Sequence, residues 1–542
     1  MKRIVLPLLL LTLLAGCDMM HSGKFSVSMS VEKKPILAGK AANELIYIAV
    51  YTTEMRRQIA VTGIELNFSQ GTMQVGLSSI TIFHKKEKSG PFAPELFGTS
   101  QDPQVNNSIA GNTLLTPGKD FFMISLVPSK DASIDSKLEL SSVKVHFSNR
   151  MIKDVVIPAG ASPLRFGLVL RAAGQDNCNT YRIPGIITTS KGTLVAVYDN
   201  RYNSSKDLQE DIDIGMSRST DGGKTWEPMK VIMDMDNYGG RPEKQNGTGD
   251  PSILYDNFTG TIWVAALWMS GASSDQMLWN TSKPGMKPDE TGQLLMVNST
   301  DDGITWSKPV SITGQVKNPS WQLLFQGPGR GITLKDGTLV FPAQFKADIG
   351  IPAIDGGKYT PHSTIIYSKD RGISWHIGTG AKANTTESQV VELVDGSLML
   401  NMRDDRNRKD KGPANGRAVA VTSDLGKTWT IHSSSNSVLP EPNCMASLIS
   451  ADVRISGEMK KVLFFSNPAN RESRSNLTIK ASLDEGLTWP PEYQLEIYSP
   501  EGFGYSCLTM VDSAHIGILY EGVRELYFQK IPVEDILGMK KQ

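Results

Sequence analysis

Ser219-Thr-Asp221-Gly-Gly223-Lys-Thr225-Trp226 is one of five copies of the pattern Ser-x-Asp-x-Gly-x-Thr-Trp in this chain. The others occupy residues 299–306, 368–375, 422–429 and 482–489, with Thr first in one copy and Ser before Trp in another. A short Ser or Asp side chain can accept backbone N–H groups within a turn, and Gly adopts backbone conformations that other residues resist. Trp adds a large ring that can pack between sheets. Each copy therefore predicts a hydrogen-bonded turn that fixes two strands of one hairpin, which we call a staple. Five staples predict a β-propeller with at least five blades.

Length and charge narrow the class of protein. A chain of 542 residues is too long to fold around one compact hydrophobic core, so its length predicts two or three domains. Lys plus Arg and Asp plus Glu both total 56, so the formal net charge is zero. Nucleic-acid binders usually carry a basic excess, so the balance argues against that partner. The sequence has no HExxH pattern and no Cys/His cluster, so we expect no metal and no cofactor.

The N-terminus predicts export. Lys2 and Arg3 precede a short apolar run over residues 4–14, and Leu14-Ala-Gly-Cys17 follows. The apolar run is too short to be a permanent membrane helix. Small residues before a Cys resemble a bacterial lipobox, which would make residues 1–17 a lipoprotein signal and Cys17 an acylated membrane anchor facing the periplasm or the cell surface. The alternative is an ordinary cleaved signal peptide in which Cys17 is incidental.

Residues 18–165 and the remainder of the chain differ in pattern. The first part contains β-branched and aromatic runs separated by turn residues, and it predicts an antiparallel β-sandwich. Pro158-Ala-Gly-Ala-Ser-Pro163 predicts a linker before the repeat region, residues 166–542. Besides Cys17 the chain has Cys178, Cys444 and Cys507, an odd and widely spaced set that does not form a disulfide framework.

Outside the repeats, a second set of strings carries a family resemblance. Tyr181-Arg-Ile-Pro184 is similar to the motif that opens the propeller in sialidases, and the five repeats resemble their Asp boxes. The resemblance covers about residues 165–540 and is to bacterial exo-α-sialidases (neuraminidases), of the Bacteroides type with an N-terminal accessory domain. It implies an all-β fold: a six-bladed β-propeller catalytic domain preceded by a β-sandwich that is similar to carbohydrate-binding domains. A sixth Asp box is absent.

The resemblance implies an arginine triad. Arg182, in the opening motif, matches its first member, and Arg403, in Asn-Met-Arg, matches the second. Arg474 matches the third and Arg471 is a nearby competitor; we favour Arg474 because a strand starts just after it. Sialic acid carries a carboxylate on its anomeric carbon, and guanidinium binds carboxylate through paired, charge-assisted hydrogen bonds.

The resemblance also implies a nucleophile and its base. Tyr505, in Gly-Tyr-Ser, matches the family's nucleophilic tyrosine, and Glu387, in Thr-Thr-Glu-Ser-Gln, matches its catalytic glutamate. Sialidases depart from the usual carboxylate nucleophile of retaining glycosidases. A carboxylate would be repelled by the carboxylate on the reacting carbon, whereas a neutral phenol is not. The phenol needs a base beside it, the role that the resemblance gives to Glu387.

Three further residues complete the expected site. Arg201 resembles a pocket arginine that helps hold the carboxylate side of the sugar. Asp207, in the polar loop that follows, resembles the general acid/base. Its rivals Asp211 and Asp213 alternate in what reads as the start of a strand, so we favour Asp207. Asp250, in Gly-Asp-Pro, resembles an aspartate near the amino side of the sugar.

The favoured function is a retaining exo-α-sialidase that hydrolyses terminal sialic acid. Its partners would be sialylated glycoproteins, glycolipids and oligosaccharides, and we expect a monomer that touches membranes only through its anchor. Two alternatives stay open. An intramolecular trans-sialidase would share the triad and the nucleophile. A propeller lectin would bind sialic acid but would lack the equivalents of Tyr505, Glu387 or Asp207, which the sequence retains.

Overall fold

The computed structural model describes residues 25–53, 58–69, 76–86, 93–208, 210–271, 276 and 281–539. The predicted signal segment, with Cys17, lies outside these residues. Strands dominate the described part of the chain, and two short α-helices are present, α1 (Thr313–Val316) and α2 (Val533–Ile536). Short 3-10 helices occupy Gln175–Asn177, Tyr238–Gly240, Glu243–Gln245, Asp405–Arg408 and Pro491–Tyr493. The thiols of Cys178, Cys444 and Cys507 are buried and free. No described helix is long and apolar enough to cross a membrane.

The N-terminal part contains two antiparallel sheets that bury one apolar cluster between them. Its strands are β1 (Phe25–Val31), β2 (Ile36–Ala38), β3 (Glu44–Thr52), β4 (Ala60–Phe68), β5 (Leu77–Lys85), β6 (Glu95–Gln101), β7 (Asn106–Leu114), β8 (Gly118–Pro128), β9 (Lys137–Leu138), β10 (Leu140–Phe147) and β11 (Ile152–Asp154). The sheet orders are β1-β3-β8-β5-β6 and β11-β10-β4-β7. Alternating apolar residues such as Val143, Val145 and Phe147 of β10 point into the shared core.

The rest of the described chain forms further sheets. Its strands are β12 (Leu164–Arg171), β13 (Thr180–Thr188), β14 (Leu194–Arg201), β15 (Ile212–Ser219), β16 (Lys230–Met233), β17 (Asn246–Tyr255), β18 (Ile262–Ser270), β19 (Gln293–Ser299), β20 (Val310–Ser311), β21 (Leu323–Gln326), β22 (Gly329–Arg330), β23 (Ile332–Thr333), β24 (Leu339–Ala347), β25 (Thr360–Ser368), β26 (His376–Ile377), β27 (Lys382–Ala383), β28 (Thr385–Glu392), β29 (Leu398–Asp404), β30 (Ala418–Thr422), β31 (Thr430–Ile431), β32 (Ser447–Ile455), β33 (Glu458–Pro468), β34 (Leu477–Ser482), β35 (Gln494–Tyr498), β36 (Ser506–Asp512), β37 (His515–Glu521) and β38 (Leu526–Pro532).

Within the described residues these strands form six sheets, in chain order β13–β16, β17–β20 with β22, β21 with β23–β27, β28–β31, β32–β35, and β36–β38 with β12. Neighbouring sheets contact each other in a closed circuit, from β13 to β17, β24, β28, β32, β36 and back to β13. Strands buried on both faces explain the continuous apolar runs, for example residues 339–343 at the start of β24.

All five repeats form the same staple. In the first, Ser219 Oγ donates to Asp221 Oδ1 at 2.8 Å and accepts from Gly223 N at 3.0 Å, while Asp221 also accepts from Thr225 N and Oγ1. The other four copies repeat these bonds between equivalent atoms. The repeat glycines have φ between +78° and +88°, where a Cβ is strained. Each staple lies in a hairpin and joins the third strand of a sheet to its outer strand.

The sixth sheet explains why the sequence lacks a sixth repeat. Its outer position is taken by β12, which pairs antiparallel with β38 although it lies more than 350 residues earlier in the chain. Because no hairpin joins the third strand to the outer strand here, no staple is needed. The two ends of the repeat region are thereby held together by backbone hydrogen bonds.

The N-terminal part is tied to this closing sheet. Strand β2 pairs in parallel with β12, and Leu37 packs in an apolar cluster otherwise formed by residues beyond 448 and the partly buried Val169. Ion pairs join Lys40 to Glu525 and Arg165 to Asp535. Strand β12 also spans the predicted boundary at 165/166. The two parts therefore share an interface with apolar, backbone and charged contacts.

We expect a chain that starts at residue 164 to be less stable than the full chain. Loss of the Leu37 side chain from a packed cluster alone costs about 2–5 kcal/mol. All nine Trp residues lie between 226 and 489, so Trp fluorescence reports unfolding of the repeat region alone. Urea unfolding should give a lower midpoint for the truncated chain and for Leu37→Ala. As a control, Leu45→Ala should disturb only the N-terminal core. An unchanged midpoint for the truncated chain would show that the interface adds no stability.

Candidate active site

Three strands that line the circuit of sheets carry irregularities at predicted site residues. The pairing register shifts in β13 after Arg182, in β17 after Gly249 and in β28 after Thr385. Ile183 and Asp250 at these points have φ of +56° and +57°, which is strained for a β-branched residue and uncommon for Asp. Bulges re-aim side chains and are frequent beside active sites. These three bulges position Arg182, Asp250 and Glu387.

Tyr505 and Glu387 are in direct contact. The Tyr505 hydroxyl donates a short hydrogen bond to Glu387 Oε1. Arg403 Nη1 donates to Glu387 Oε2 at 2.6 Å and to Tyr505 Oη at 3.1 Å. Burial and the Glu387 charge raise the pKa of Tyr505 well above its usual value, although Arg403 and Arg474 oppose them. The phenol is therefore neutral at neutral pH and has a carboxylate ready to accept its proton.

Arg182 and Arg474 lie against the ring of the same tyrosine. Their guanidinium carbons are 5.2 Å and 5.6 Å from the Tyr505 ring centroid. Arg474 Nη1 also donates to the carbonyl of Phe503 at 2.9 Å. All three arginines of the predicted triad therefore surround one phenol. Such a concentration of positive charge suits an anionic ligand held beside Tyr505.

Asp207 is held by two arginines. Its Oδ1 accepts from Arg182 Nη1 and from Arg201 Nη1, each at 2.7 Å. Burial raises the pKa of Asp207, but the two guanidiniums outweigh burial and bring the pKa to about 2. The rival Asp213 instead accepts from the Tyr202 hydroxyl at 2.9 Å, and burial beside other carboxylates raises its pKa to about 8. Of these two carboxylates, the structure brings Asp207 to the arginines.

Asp250 lies on the other side of Arg201. The backbone N–H of Asp250 donates to Asp199 Oδ1 at 2.9 Å, and Asp199 Oδ2 accepts from Arg201 Nε and Nη2. Burial and the charges of Asp199, Glu387 and Asp207 raise the pKa of Asp250 well above its ordinary value, against the opposing effect of Arg201. A neutral carboxyl here can donate a hydrogen bond as well as accept one.

Glu521 is a site residue that no sequence motif predicted. This buried carboxylate accepts from Arg182 Nε, Ile183 N and Tyr505 N, each at 2.9 Å. It therefore fixes one edge of the Arg182 guanidinium and the backbone of the two motifs that contain Ile183 and Tyr505. The available signal was a single carboxylate directly after the apolar run over residues 516–520. Asn443, which accepts from Arg403 Nη2 at 3.0 Å, was also missed.

We expect Glu521→Gln to lower the free energy of unfolding by about 3 kcal/mol, because it breaks a buried ion pair and leaves the buried Arg182 guanidinium with the exposed Asp207 as its counter-charge. The side-chain amide of Gln would also place its own N–H groups against the N–H donors of Arg182, Ile183 or Tyr505, where an acceptor is needed. Urea unfolding measures the effect. Glu458→Gln is the matched control, since Glu458 is exposed and pairs with the half-exposed Lys460, and its replacement should change the stability by less than about 1 kcal/mol. Equal effects of the two substitutions would contradict the role of Glu521.

Comparison with known proteins places the chain in a family. The BNR repeat-like domain matches residues 192–518. The sialidase of Bacteroides fragilis is 44% identical over 532 residues, covering 93% of this chain and 94% of that protein. The Hadza microbial sialidase Hz136 gives a TM-score of 0.82 at 40% identity, over 94% of this chain and 99% of that one. The intramolecular trans-sialidase of Ruminococcus gnavus gives 0.55 at 20% identity, over 66% and 96%, a likeness of fold only. The chain therefore belongs to the sialidase family and is an enzyme of the glycoside-hydrolase class.

Proposed function

We propose that the protein is a retaining exo-α-sialidase that hydrolyses terminal sialic acid from glycoproteins, glycolipids and oligosaccharides. The observation that carries the proposal is the contact of the Tyr505 phenol with Glu387, with Arg403 donating to both. Arg182 and Arg474 on the ring of Tyr505 support a carboxylate-bearing ligand at this point. Sialic acid has its carboxylate on the anomeric carbon, so holding the carboxylate also positions the reacting carbon.

The nucleophilic step follows from charge. The phenol of Tyr505 attacks the anomeric carbon as Glu387 takes its proton, and the bond from that carbon to the glycosidic oxygen breaks. A neutral phenol avoids the repulsion that a carboxylate would meet beside the substrate's own carboxylate. Transfer of the proton to Glu387 makes the oxygen nucleophilic only as it reacts. The product of this step is a glycosyl-tyrosine.

Asp207 serves both halves of the reaction. In the first, its carboxyl proton passes to the departing glycosidic oxygen. In the second, the Asp207 carboxylate takes a proton from water as the water oxygen attacks the anomeric carbon. The bond between that carbon and the Tyr505 oxygen breaks, and the two successive displacements retain the α configuration. Glu387 then returns its proton to the phenol. Burial and the neighbouring carboxylates raise the pKa of Asp250, and in its protonated form this carboxyl would donate a hydrogen bond to the amino side of the sugar.

We also infer the architecture that presents this site. The closed circuit of six sheets supports a six-bladed β-propeller over residues 166–542, and the two N-terminal sheets around one core support a β-sandwich over residues 18–165. The site residues Arg182, Asp250 and Glu387 occupy inner strands of different sheets. A propeller makes this possible because its inner strands converge on one axis.

The predicted signal segment supports a proposal about location. We propose that residues 1–17 direct export, that Cys17 carries a lipid anchor in the periplasm or at the cell surface, and that the protein acts as a monomer. Cys17→Ser should move the protein from the membrane fraction to the soluble fraction. Wild-type protein found already in the soluble fraction would refute the anchor.

A fluorogenic α-sialoside tests the activity. We expect release of the fluorophore together with free sialic acid, and no release from the same fluorophore attached to galactose, which lacks the carboxylate. Chromatography of the sugar product distinguishes the alternatives that share this site. An anhydro sugar would indicate intramolecular trans-sialidase activity. Binding of the sialoside without any release would indicate a lectin.

A further inference from the structure

The guanidinium of Arg182 has partners on both of its edges in the free protein. Glu521 accepts from Nε at 2.9 Å and from Nη2 at 3.4 Å. Asp207 accepts from Nη1 at 2.7 Å. Glu521 is buried and also accepts from the backbone N–H groups of Ile183 and Tyr505, so the Nε edge of Arg182 is held by a carboxylate that is itself fixed in place. An incoming carboxylate must therefore use the edge that Asp207 holds.

Asp207 is the partner that can move. Its side chain is 57% exposed, whereas the Glu521 side chain has no exposed surface. Asp207 uses a single oxygen, Oδ1, for both Arg182 and Arg201. Arg201 is fixed without it, because Asp199 accepts from its Nε and Nη2 and the Ser205 carbonyl accepts from its Nη1. Release of Asp207 would leave the two arginines in place.

Two carboxylates cannot occupy this edge together, because like charges at hydrogen-bond distance repel strongly in a partly buried site. We propose that Asp207 and the substrate carboxylate compete for Nη1 of Arg182, so that the free enzyme keeps Asp207 docked and a carboxylate-bearing sugar displaces it toward the glycosidic oxygen. The inference rests on the proposed function.

This exchange couples recognition to catalysis. Docked Asp207 faces three cations, Arg182, Arg201 and Arg474. The nearby acidic group is Asp250. Because these arginines lower the pKa of Asp207 to about 2, docked Asp207 holds no proton to donate. A carboxylate on Arg182 neutralises one cation and adds a negative charge nearby, and both changes raise the pKa of Asp207. A neutral sugar would leave the acid docked and unprotonated. Selection for the carboxylate thus operates on the chemical step as well as on binding.

Calorimetric titration with free sialic acid tests the competition. Asp207→Ala and Asp207→Asn remove the competing charge, and we expect the apparent Kd to fall about tenfold, as it would if nine tenths of the free enzyme held Asp207 docked. The methyl ester of sialic acid should bind wild type and both variants alike. Glu210→Gln, which removes a negative charge from the same loop, is the matched control and should bind sialic acid as the wild type does.

The outcomes separate this inference from the proposed function. Unchanged or weaker binding of sialic acid by both Asp207 variants would overturn the competition. A gain of similar size in Glu210→Gln would also overturn it, because a general charge effect would then suffice. Circular dichroism of each variant verifies the fold. Because two substitutions are made at Asp207, the test still stands if one variant does not fold. If the wild-type protein does not bind sialic acid, the proposed function itself is refuted.

Discussion

Tyr505→Phe is expected to lower kcat on an α-sialoside by at least about 10³-fold, because it removes the nucleophilic oxygen. The ring and its contacts with Arg182 and Arg474 remain, so substrate binding should be largely kept. The loss should therefore appear in kcat more than in KM. Steady-state kinetics on a fluorogenic substrate measures it. A folded variant with near-normal kcat would remove Tyr505 from the mechanism.

Tyr520→Phe provides the matched control. Tyr520 is a buried tyrosine close to Tyr505 in sequence, and its hydroxyl donates to Gln529 at 3.0 Å rather than to the site. Loss of this hydrogen bond should cost about 1 kcal/mol of stability and leave kcat near the wild-type value. Similar losses of kcat in the two variants would point to a general effect of removing a buried hydroxyl.

Replacing Arg182, Arg403 or Arg474 with Lys is expected to lower kcat/KM by at least about 10²-fold for each, because Lys keeps the charge but loses the planar fork that binds a carboxylate through two hydrogen bonds. Arg403→Lys should have the largest effect, since Arg403 also contacts Glu387 and Tyr505. Kinetics on the same fluorogenic substrate measures all three.

Arg371→Lys is the control for these substitutions. Arg371 pairs with Asp256 and lies in a repeat turn, and its side chain is 35% exposed. Its replacement should leave kcat/KM unchanged. If the three site variants bind and turn over a sialoside as the wild type does, the triad is assigned wrongly.

The repeats made most of the fold of residues 166–542 predictable. Their pattern is local: Ser219, Asp221 and Gly223 bond within one turn, so the sequence alone implies the staple and its place between two strands. The closing contact of β12 with β38 could not be predicted in this way. It joins residues far apart in the chain, and no local motif marks it. The same holds for the pairing of β2 with β12.

The candidate site was predictable where a motif carries the residue. Tyr505, Glu387 and Arg403 stand in recognisable strings, and the structure brings them within hydrogen-bond distance. Glu521 could not be identified because its role depends on contacts with Arg182 and Tyr505, which come from other strands. The contacts of Asp207 with two arginines could not be predicted either, since the sequence indicates a loop at Asp207 but not the conformation of that loop.

The claim that Tyr505 is the nucleophile is tested most directly by trapping the glycosyl-enzyme. A sialyl fluoride with a second fluorine at C3 has a good leaving group, and the C3 fluorine slows hydrolysis because the transition state carries positive charge at the anomeric carbon. We expect mass spectrometry to find one fluorosialyl group on the peptide that contains Tyr505, and none on Tyr505→Phe. An adduct on a carboxylate such as Glu387, or turnover of the reagent by Tyr505→Phe at the wild-type rate, would contradict the mechanism.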